Sequence, residues 1–179
     1  MRYLLLLVAL ITSTTIAAAT FDETMALAKQ GEAYAQYNLG LIYFKGEGVP
    51  KNDTEAVKWF RKAADQGHAT AQFNQGLMYA SGIGGVPEND TEAVKWYRKA
   101  ADQGFAPAQY NLGLMYAYGD GVPESSIRAY VWWSMAKTQG AEVAKGNLDI
   151  LKPQMTKQQI AEAQALAAKC YESNYKDCD

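Results

Sequence analysis

The sequence TEAVKWFRKAADQG at residues 54–67 decides the fold, because it returns as TEAVKWYRKAADQG at residues 91–104. The two copies differ at one position, where Tyr97 replaces Phe60. A second motif occurs three times, as AQYNLGLIY from Ala35, AQFNQGLMY from Ala71 and AQYNLGLMY from Ala108. Self-similarity at a fixed period is typical of repeat architectures, so a stack of like units is predicted.

The units are predicted to span residues 33–68, 69–105 and 106–140. Their shared motif recurs after 36 residues and then after 37. The second interval is longer because the loop SGIGGVP at residues 81–87 contains one residue more than KGEGVP at residues 45–50. One loop insertion therefore explains the uneven spacing.

Each unit holds two helical patterns, one on each side of that loop. In the first, named helix A, apolar residues from Ala35 to Tyr43 recur at spacings of three and four, which predicts one buried helix face. In the second, named helix B, Asn52 supplies a capping oxygen and Glu55 an acid three positions later, which predicts a helix start. The apolar face of this first helix B is predicted to comprise Ala56, Trp59 or Phe60, and Ala63.

The repetition has a physical reason, because neither helix can bury its apolar face alone. A stack of helix pairs makes one continuous core in which each unit covers the next, so every unit needs the same inner face. The large fillers of this face are predicted to be Trp59, Trp96 and Trp132. Trp132 belongs to the outer unit and is expected to be less buried than Trp96.

Composition and charge limit the possible functions. Of the residues, 49% are hydrophobic, which permits one domain with an ample core. Arg2 lies in an N-terminal segment that is expected to be cleaved, as explained below. Without it, 16 Lys and Arg remain against 19 Asp and Glu, so the net charge moves from -2 to -3. Because a nucleic-acid-binding protein normally shows a basic surplus or stripe, no nucleic-acid partner is predicted.

The first 19 residues, MRYLLLLVALITSTTIAAA, have the pattern of a secretory signal peptide. The apolar run from Leu4 to Ile11 is interrupted after eight residues, whereas a membrane helix needs roughly 20 apolar residues, so a retained anchor is the less favoured alternative. We expect cleavage after Ala19 and export to the periplasm or the medium. The mature chain is then predicted to lack an integral membrane segment.

The motifs A-x-A-Q-x-x-L-G-x-x-Y, G-x-G-V-P and E-A-x-x-W-x-x-x-A-A-x-Q-G resemble those of Sel1-like repeats, here in an exported bacterial form. The resemblance covers roughly residues 31–140, with half-units on both sides. It implies an all-α fold related to tetratricopeptide repeats: an α-α superhelix, or solenoid, of about three helix-pair repeats with N- and C-terminal capping helices. The resemblance also implies that the protein binds other proteins.

The domain organisation predicted on this basis is a signal peptide at 1–19, the solenoid at 20–152, and a C-terminal capping helix with a disulfide tail at 153–179. The capping helix is expected to run from about Lys157 to Lys169. Lys145-Gly146-Asn147 departs from the motif, so the regular solenoid is expected to end near Gly140. Gln75 is the other departure, because leucine occupies its place in the neighbouring units.

Cys170 and Cys178 are predicted to form a structural disulfide. On one continuous helix they would lie about 12 Å apart, beyond the roughly 4.4 to 6.8 Å that a disulfide allows, so the bond requires a turn between them. Export favours oxidation, and the even cysteine count leaves no spare thiol. Their spacing is also similar to that of cysteine-rich members of the repeat family. A redox-active or metal-binding pair is the less favoured alternative.

The sequence carries no set of residues typical of catalysis, so no enzymatic activity, cofactor or metal is predicted. His68 is the sole histidine and is expected to be a solvent-facing loop residue. The Gly-x-Gly segments join helices rather than a strand and a helix, which excludes a phosphate-binding loop. No serine lies in a G-x-S-x-G elbow.

The candidate binding surface lies along the helices A, which line the concave groove in the related tetratricopeptide folds. One asparagine recurs at the same place in each unit, and its amide can bind the backbone of an extended ligand or join neighbouring units. Aromatic and leucine side chains on the same face can anchor a partner or belong to the core. The predicted partner-binding residues are Tyr34, Tyr37, Asn38, Leu41, Phe44, Phe73, Asn74, Leu77, Tyr110, Asn111, Leu114 and Tyr118.

Two functions of different classes follow from the resemblance. The first is a non-enzymatic scaffold or regulator of the bacterial envelope that binds a protein or peptide in its concave face, with a secreted host-interaction factor as a variant. The second is a cell-wall-directed activity, penicillin binding or weak β-lactam hydrolysis, as in cysteine-rich relatives. This chain has one cysteine pair rather than one per repeat, which disfavours the second function. A monomer is expected.

Overall fold

The computed structural model describes residues 19–178, so the predicted signal peptide lies outside the described residues except for Ala19. Within the described range the chain forms nine α-helices and no strand, which confirms the all-α prediction. The helices are α1 (Ala19–Gln30), α2 (Ala33–Lys45), α3 (Asp53–Asp65), α4 (Ala69–Ser81), α5 (Asp90–Ala101), α6 (Ala106–Tyr118), α7 (Ser126–Thr138), α8 (Glu142–Leu151) and α9 (Lys157–Glu172). Short 3-10 turns occupy Ile83–Gly85 and Lys152–Gln154.

Local chemistry sets the helix boundaries. The side chain of Asn52 accepts a hydrogen bond from the backbone nitrogen of Glu55 at 3.0 Å, and this satisfies one of the unpaired donors at the start of α3. Asn89 does the same for Glu92 at the start of α5. Helix α2 ends at Gly46, whose φ of 74° lies in the left-handed region that glycine adopts without strain.

Consecutive helices pack against each other from α1 to α8, with helices B (α1, α3, α5 and α7) alternating with helices A (α2, α4, α6 and α8). The tightest contacts join the two helices of a unit, where a glycine of helix A lies against an aromatic ring of helix B. A Cβ placed on Gly40 would be 2.5 Å from the Phe60 ring, and a Cβ placed on Gly76 would be 2.5 Å from the Tyr97 ring. Gly113 has this relation to Trp133. The repeated glycine is therefore required for close approach.

A row of buried glutamines sets the register between successive units. The side-chain nitrogens of Gln36, Gln72 and Gln109 donate to the carbonyl oxygens of Ala28, Ala64 and Ala101 on the preceding helix B, at 3.1, 3.1 and 3.2 Å. Their side-chain oxygens accept from the side-chain nitrogens of Gln66, Gln103 and Gln139, which lie just after the C-terminal ends of the following helices B, at 2.7, 2.7 and 2.8 Å. Each glutamine thus connects three helices, and its buried amide is paired at both ends.

The C-terminal helix packs differently from a helix B. Helix α9 lies against α7 and not alongside α8, the helix A that precedes it. Its contact residues Ala163, Ala167 and Cys170 join the cluster around Trp132, which is fully buried. The expectation that Trp132 would be less buried than Trp96 is wrong, because Trp96 is 3% exposed and Trp132 is 0% exposed.

The tail after α9 folds back and is joined to the helix by the Cys170–Cys178 disulfide, with the two Cα atoms 4.4 Å apart. The reversal uses the left-handed conformations of Asn174 and Tyr175. The Tyr175 ring lies over Gly104, in the loop between α5 and α6, where a Cβ would be 2.8 Å from the ring. The tail is therefore attached to the solenoid as well as to α9.

Candidate functional site

The helices A of the three repeat units, α2, α4 and α6, form a surface that is almost without charge. Helices α4 and α6 contain no charged residue, and α2 contains only Lys45, at its C-terminal end. The helices B carry the charges instead, with exposed ion pairs such as Lys58–Glu55 and Lys95–Glu92. The candidate surface therefore offers aromatic, aliphatic and amide groups to a ligand.

None of the twelve predicted binding residues is fully buried. Tyr34 and Tyr118 are the most accessible, with 69% and 72% of their surface exposed. The other ten, all partly buried, are Tyr37, Asn38, Leu41, Phe44, Phe73, Asn74, Leu77, Tyr110, Asn111 and Leu114. Many of these also contact neighbouring helices, so the same side chains serve the stacking of units and line the surface.

Tyr37 shows this double role. Its ring stacks on His68, with the ring centroids 4.7 Å apart, and lies 5.9 Å from Phe60. His68 is partly buried, and its Nδ1 accepts a hydrogen bond from the backbone nitrogen of Ala71 at the start of α4. Burial lowers the pKa of His68. The prediction of a solvent-facing loop histidine is wrong, because this side chain caps a helix and stacks on a tyrosine.

The next unit repeats the arrangement with apolar rings. Phe73 lies 5.4 Å from Phe105, which occupies the place of His68, and 5.8 Å from Tyr97. Burial raises the pKa of Tyr97, while a hydrogen bond from Asn111 opposes this shift. Asn111 thus contacts the preceding helix B, which supports a structural role for its amide.

The row of asparagines has a fourth member that the sequence analysis missed. Asn147 of α8 donates to the Tyr110 hydroxyl at 3.5 Å, and the neighbouring Leu148 is 2% exposed, as expected for a residue at the position of Leu112. The indole nitrogen of Trp133 donates to the Tyr110 carbonyl oxygen at 3.1 Å. Alignment of Leu148 with Leu112 would have found this asparagine from the sequence.

A surface recess lies beside the helices A at each end of the stack. The N-terminal recess, between α1 and α2, is lined by Thr24, Asn38, Leu41 and Lys45 and has a volume of about 540 Å³. A smaller recess of about 180 Å³ lies between α6 and α8. A third, of about 520 Å³, lies between the start of α7 and the middle of α9, away from the predicted residues.

The described residues show no arrangement typical of catalysis or metal binding. No cluster of three or more His, Cys, Asp or Glu side chains in residues 19–178 is placed to hold a metal ion. No helix in that range is long and apolar enough to span a bilayer.

Two serines with a lysine three positions later, Ser134 and Ser173, were missed by the sequence analysis, and this spacing also occurs in penicillin-binding enzymes. The Ser173 hydroxyl donates to the Cys170 carbonyl oxygen and accepts from two backbone nitrogens of the tail, so it stabilises the turn. The S-D-N and K-T-G motifs that complete such a site are absent from the sequence.

The alternating helices, the ring-on-glycine contacts and the glutamine row define the protein as an α-α solenoid built from short helix-pair repeats. The family model of the Sel1 repeat matches residues 33–68, 69–105 and 106–140. The chain belongs to the Sel1 repeat family.

Solved structures of the same family resemble this fold. A Sel1 repeat protein from Oxalobacter formigenes is 39% identical, with a TM-score of 0.68, and the match covers 73% of this chain and 98% of that one. Protein c5321, described as a protective antigen of uropathogenic Escherichia coli with an SLR fold, is 31% identical, with a TM-score of 0.65 over 87% of this chain. The match covers 41% of c5321.

A curated relative shares a shorter segment. The putative sel1-like repeat-containing protein L18 of Acanthamoeba polyphaga mimivirus is 50% identical over 38 residues, which is 21% of this chain. The match covers 6% of that protein. The similarity is therefore limited to about one repeat unit.

Proposed function

We propose that the protein is a non-enzymatic scaffold or regulator of the bacterial cell envelope that binds a protein or peptide along its helix A face. Sel1 repeat proteins generally mediate protein–protein interactions. The observation that carries the proposal is the uncharged helix A surface with its exposed tyrosines, since aromatic side chains are enriched among the residues that dominate binding energy. The signal-peptide pattern supports an envelope location, and c5321 is a relative described as an antigen.

The groove is proposed to take an extended segment of the partner. Asn38, Asn74 and Asn111 are partly buried but reach the surface, so their amides can bind backbone groups of such a segment. Leucine and aromatic side chains beside them provide apolar contact. Because this surface lacks charge, binding is expected to depend weakly on salt concentration.

Capture experiments on the native envelope fraction test this proposal. The protein is used as bait and its partners are identified by mass spectrometry; the variants Tyr34→Asp and Tyr118→Asp are then compared with the wild type. Both side chains are largely exposed, so the fold should be retained while a poorly hydrated charge enters the interface and weakens capture.

The matched controls are Lys58→Glu and Lys95→Glu, which change exposed charges on the helices B. These variants should capture the partner as well as the wild type. Loss of capture in the lysine variants, with capture retained in folded tyrosine variants, would place the binding surface on the helices B instead. Recovery of the protein from the periplasmic fraction or from the medium would separate the envelope role from a secreted, host-directed one.

A further inference from the structure

The N-terminal helix α1 occupies the place of a helix B, although it lacks the repeat motif. The Gln36 side chain donates to the Ala28 carbonyl oxygen of α1 in the same way that Gln72 donates to Ala64 of α3. This pair of hydrogen bonds aligns Ala28 with Ala64. Every position of α1 can therefore be compared with its counterpart in the later helices B.

Thr24 of α1 differs from the residues at the same position in the later helices B, because it has no aromatic ring. Phe60 lies four residues before Ala64, and Tyr97 lies four residues before Ala101, whereas Thr24 lies four residues before Ala28. The same position in α7 is Trp133. These three rings pack on a glycine of the helix A that precedes them, and Tyr97 and Trp133 also reach Asn111 and Asn147 of the helix A that follows. At the junction of α1 with α2 the corresponding side chain is the small Thr24.

The space left at this junction is the N-terminal recess. Its floor includes Thr24, Asn38 and Leu41, and its volume is about 540 Å³, within the roughly 300 to 1,000 Å³ typical of ligand pockets. At the corresponding junction in the last unit, Trp133 lies beside Asn147 and Ile150, and the recess there has a volume of about 180 Å³. The larger recess is therefore found where the ring is missing.

The neighbouring loop glycine also has different surroundings in the first unit. In the second and third units the loop glycines Gly84 and Gly121 press against the backbone of Asp53 and Asp90, at the start of the preceding helix B. Gly48, the equivalent residue of the first unit, lines the recess, and within residues 19–178 no atom lies within 4 Å of a Cβ placed on it.

The charges around the recess do not favour an ionic ligand. Lys45 and Glu47 are the charged lining residues, and they form an ion pair with a nitrogen–oxygen distance of 3.4 Å. Apolar contact comes from Phe21, Leu41 and Ile42, and Asn38 provides an amide. An uncharged ring fits this lining, because burial of apolar surface requires no unpaired charge.

We propose that the N-terminal recess binds an aromatic side chain of the partner protein, in the place where Phe60, Tyr97 and Trp133 lie in the later units. The partner's ring would continue the stacking interface of the solenoid by one position, against Asn38 and Leu41. This inference rests on the proposed partner-binding function, and it adds the N-terminal anchor and its chemistry.

The test uses N-acetyl-phenylalaninamide as the probe, with protein produced from the full chain and its backbone amides followed by nuclear magnetic resonance. Saturable shifts are expected at Thr24, Asn38, Leu41 and Gly48. N-acetyl-alaninamide should bind at least about ten-fold more weakly, because it lacks the buried ring. Absence of saturable shifts at these amides, or equal binding of both probes, would overturn the proposal.

Thr24→Phe provides the structural control, because it places on α1 the ring that α3 carries as Phe60. This variant should remain folded by circular dichroism and lose binding of the probe about ten-fold or more. The matched control is Ala26→Phe, an exposed position on the same helix, where binding should be unchanged. Undiminished binding in Thr24→Phe would show that the probe occupies another site.

The partner captured from the envelope separates this proposal from the broader one. Thr24→Phe should weaken its capture, as Tyr34→Asp and Tyr118→Asp do. If the tyrosine variants lose the partner and Thr24→Phe retains it, the recess proposal fails while the proposed function stands. Concentration-dependent self-association abolished by Thr24→Phe would identify a second copy of the chain as the occupant and would likewise overturn the proposal.

Discussion

At the scale of single residues, the buried glutamine side chains differ in how completely they are hydrogen-bonded. Gln36, Gln72 and Gln109 are paired at both their donor and acceptor atoms, so their burial leaves no polar group without a partner. Gln75 is 1% exposed and donates to the Val57 carbonyl oxygen at 3.0 Å, but its own oxygen has no hydrogen-bond partner among the described residues. Gln75 is therefore a local defect of the second unit.

Replacement of Gln75 by leucine, the residue at this position in the units on both sides, should raise the free energy of unfolding by about 1 kcal/mol. The substitution removes a buried acceptor without a partner and adds apolar packing. Gln109→Leu is the matched comparison, and it should lower stability by about 1 to 3 kcal/mol because Gln139 and the Ala101 carbonyl lose their partner. Urea unfolding measures both, and a loss of stability in Gln75→Leu would contradict the prediction.

His68 makes stability depend on pH. Burial lowers its pKa in the folded protein below the usual value of 6.5, so the unfolded chain binds a proton more readily. The contribution of neutral His68 is therefore present above about pH 6.5 and decreases as the pH falls from there through the lower pKa of the folded state. Protonation also removes the acceptor for the Ala71 backbone nitrogen.

His68→Phe, which introduces the residue found at Phe105 in the next unit, should reduce the loss of stability between about pH 7.5 and about pH 5. Thermal unfolding of both proteins at the two pH values is the measurement. Identical pH dependence in the two proteins would show that other groups cause the change.

At the scale of helices, the helices B are connected along the stack by cations over indole rings. The Arg61 guanidinium lies 4.8 Å from the Trp96 ring, and Arg98 lies at the same distance from Trp132. Helix α9 then covers α7, so the last indole is enclosed although no further repeat follows. Helix α9 thus shields the buried face of α7 from solvent. Helix α8, in contrast, leaves the apolar side chains of Val143 and Ile150 exposed.

Trp132→Ala should reduce the free energy of unfolding by about 3 to 5 kcal/mol, as much as Trp96→Ala, because both indoles are buried. Tyr171→Ala on α9 is the control, since that side chain is 60% exposed and its removal should change stability by less than about 0.5 kcal/mol. Chemical denaturation of the three variants provides the comparison. A clearly smaller loss for Trp132→Ala would mean that α9 does not cover this site in solution.

The whole molecule is a continuous stack whose C-terminal end is joined back to the middle. The Cys170–Cys178 disulfide is buried, with the two residues 0% and 2% exposed, and Tyr175 lies over Gly104 at the junction of the second and third units. The tail consequently couples α9 to helices that precede it by more than one unit.

Replacement of both cysteines by serine should lower stability by about 2.5 kcal/mol, since the bond closes a nine-residue loop and restricts the unfolded chain. The far-ultraviolet circular dichroism spectrum should remain helical, because the contacts between consecutive helices from α1 to α8 do not depend on the disulfide. Thiol titration of the denatured wild type without reductant should detect no free thiol. Loss of the helical spectrum in the double variant would show that the tail is required for the fold of the solenoid.

Much of the architecture follows from sequence patterns that are local and repeated. Asn52 and Asn89 mark helix starts because a capping side chain acts on its own first turn, and the three-and-four spacing in AQYNLGLIY predicts a helix face wherever it occurs. The twelve candidate binding residues were named from the resemblance to tetratricopeptide folds, and none is fully buried. Whether they bind a partner is still a prediction.

The tertiary structure decided what depends on residues far apart in the chain. The glutamine row, the stacking of His68 on Tyr37 and the enclosure of Trp132 by α9 each join different helices, and no local pattern specifies such contacts. The recess at Thr24 depends on how α1 packs against α2, and the hydrogen bonds that align Ala28 with Ala64 show which ring is missing there. Hydrophobic periodicity and helix capping depend on residues that are close together in the chain. Burial of a side chain depends on which other helix packs against it.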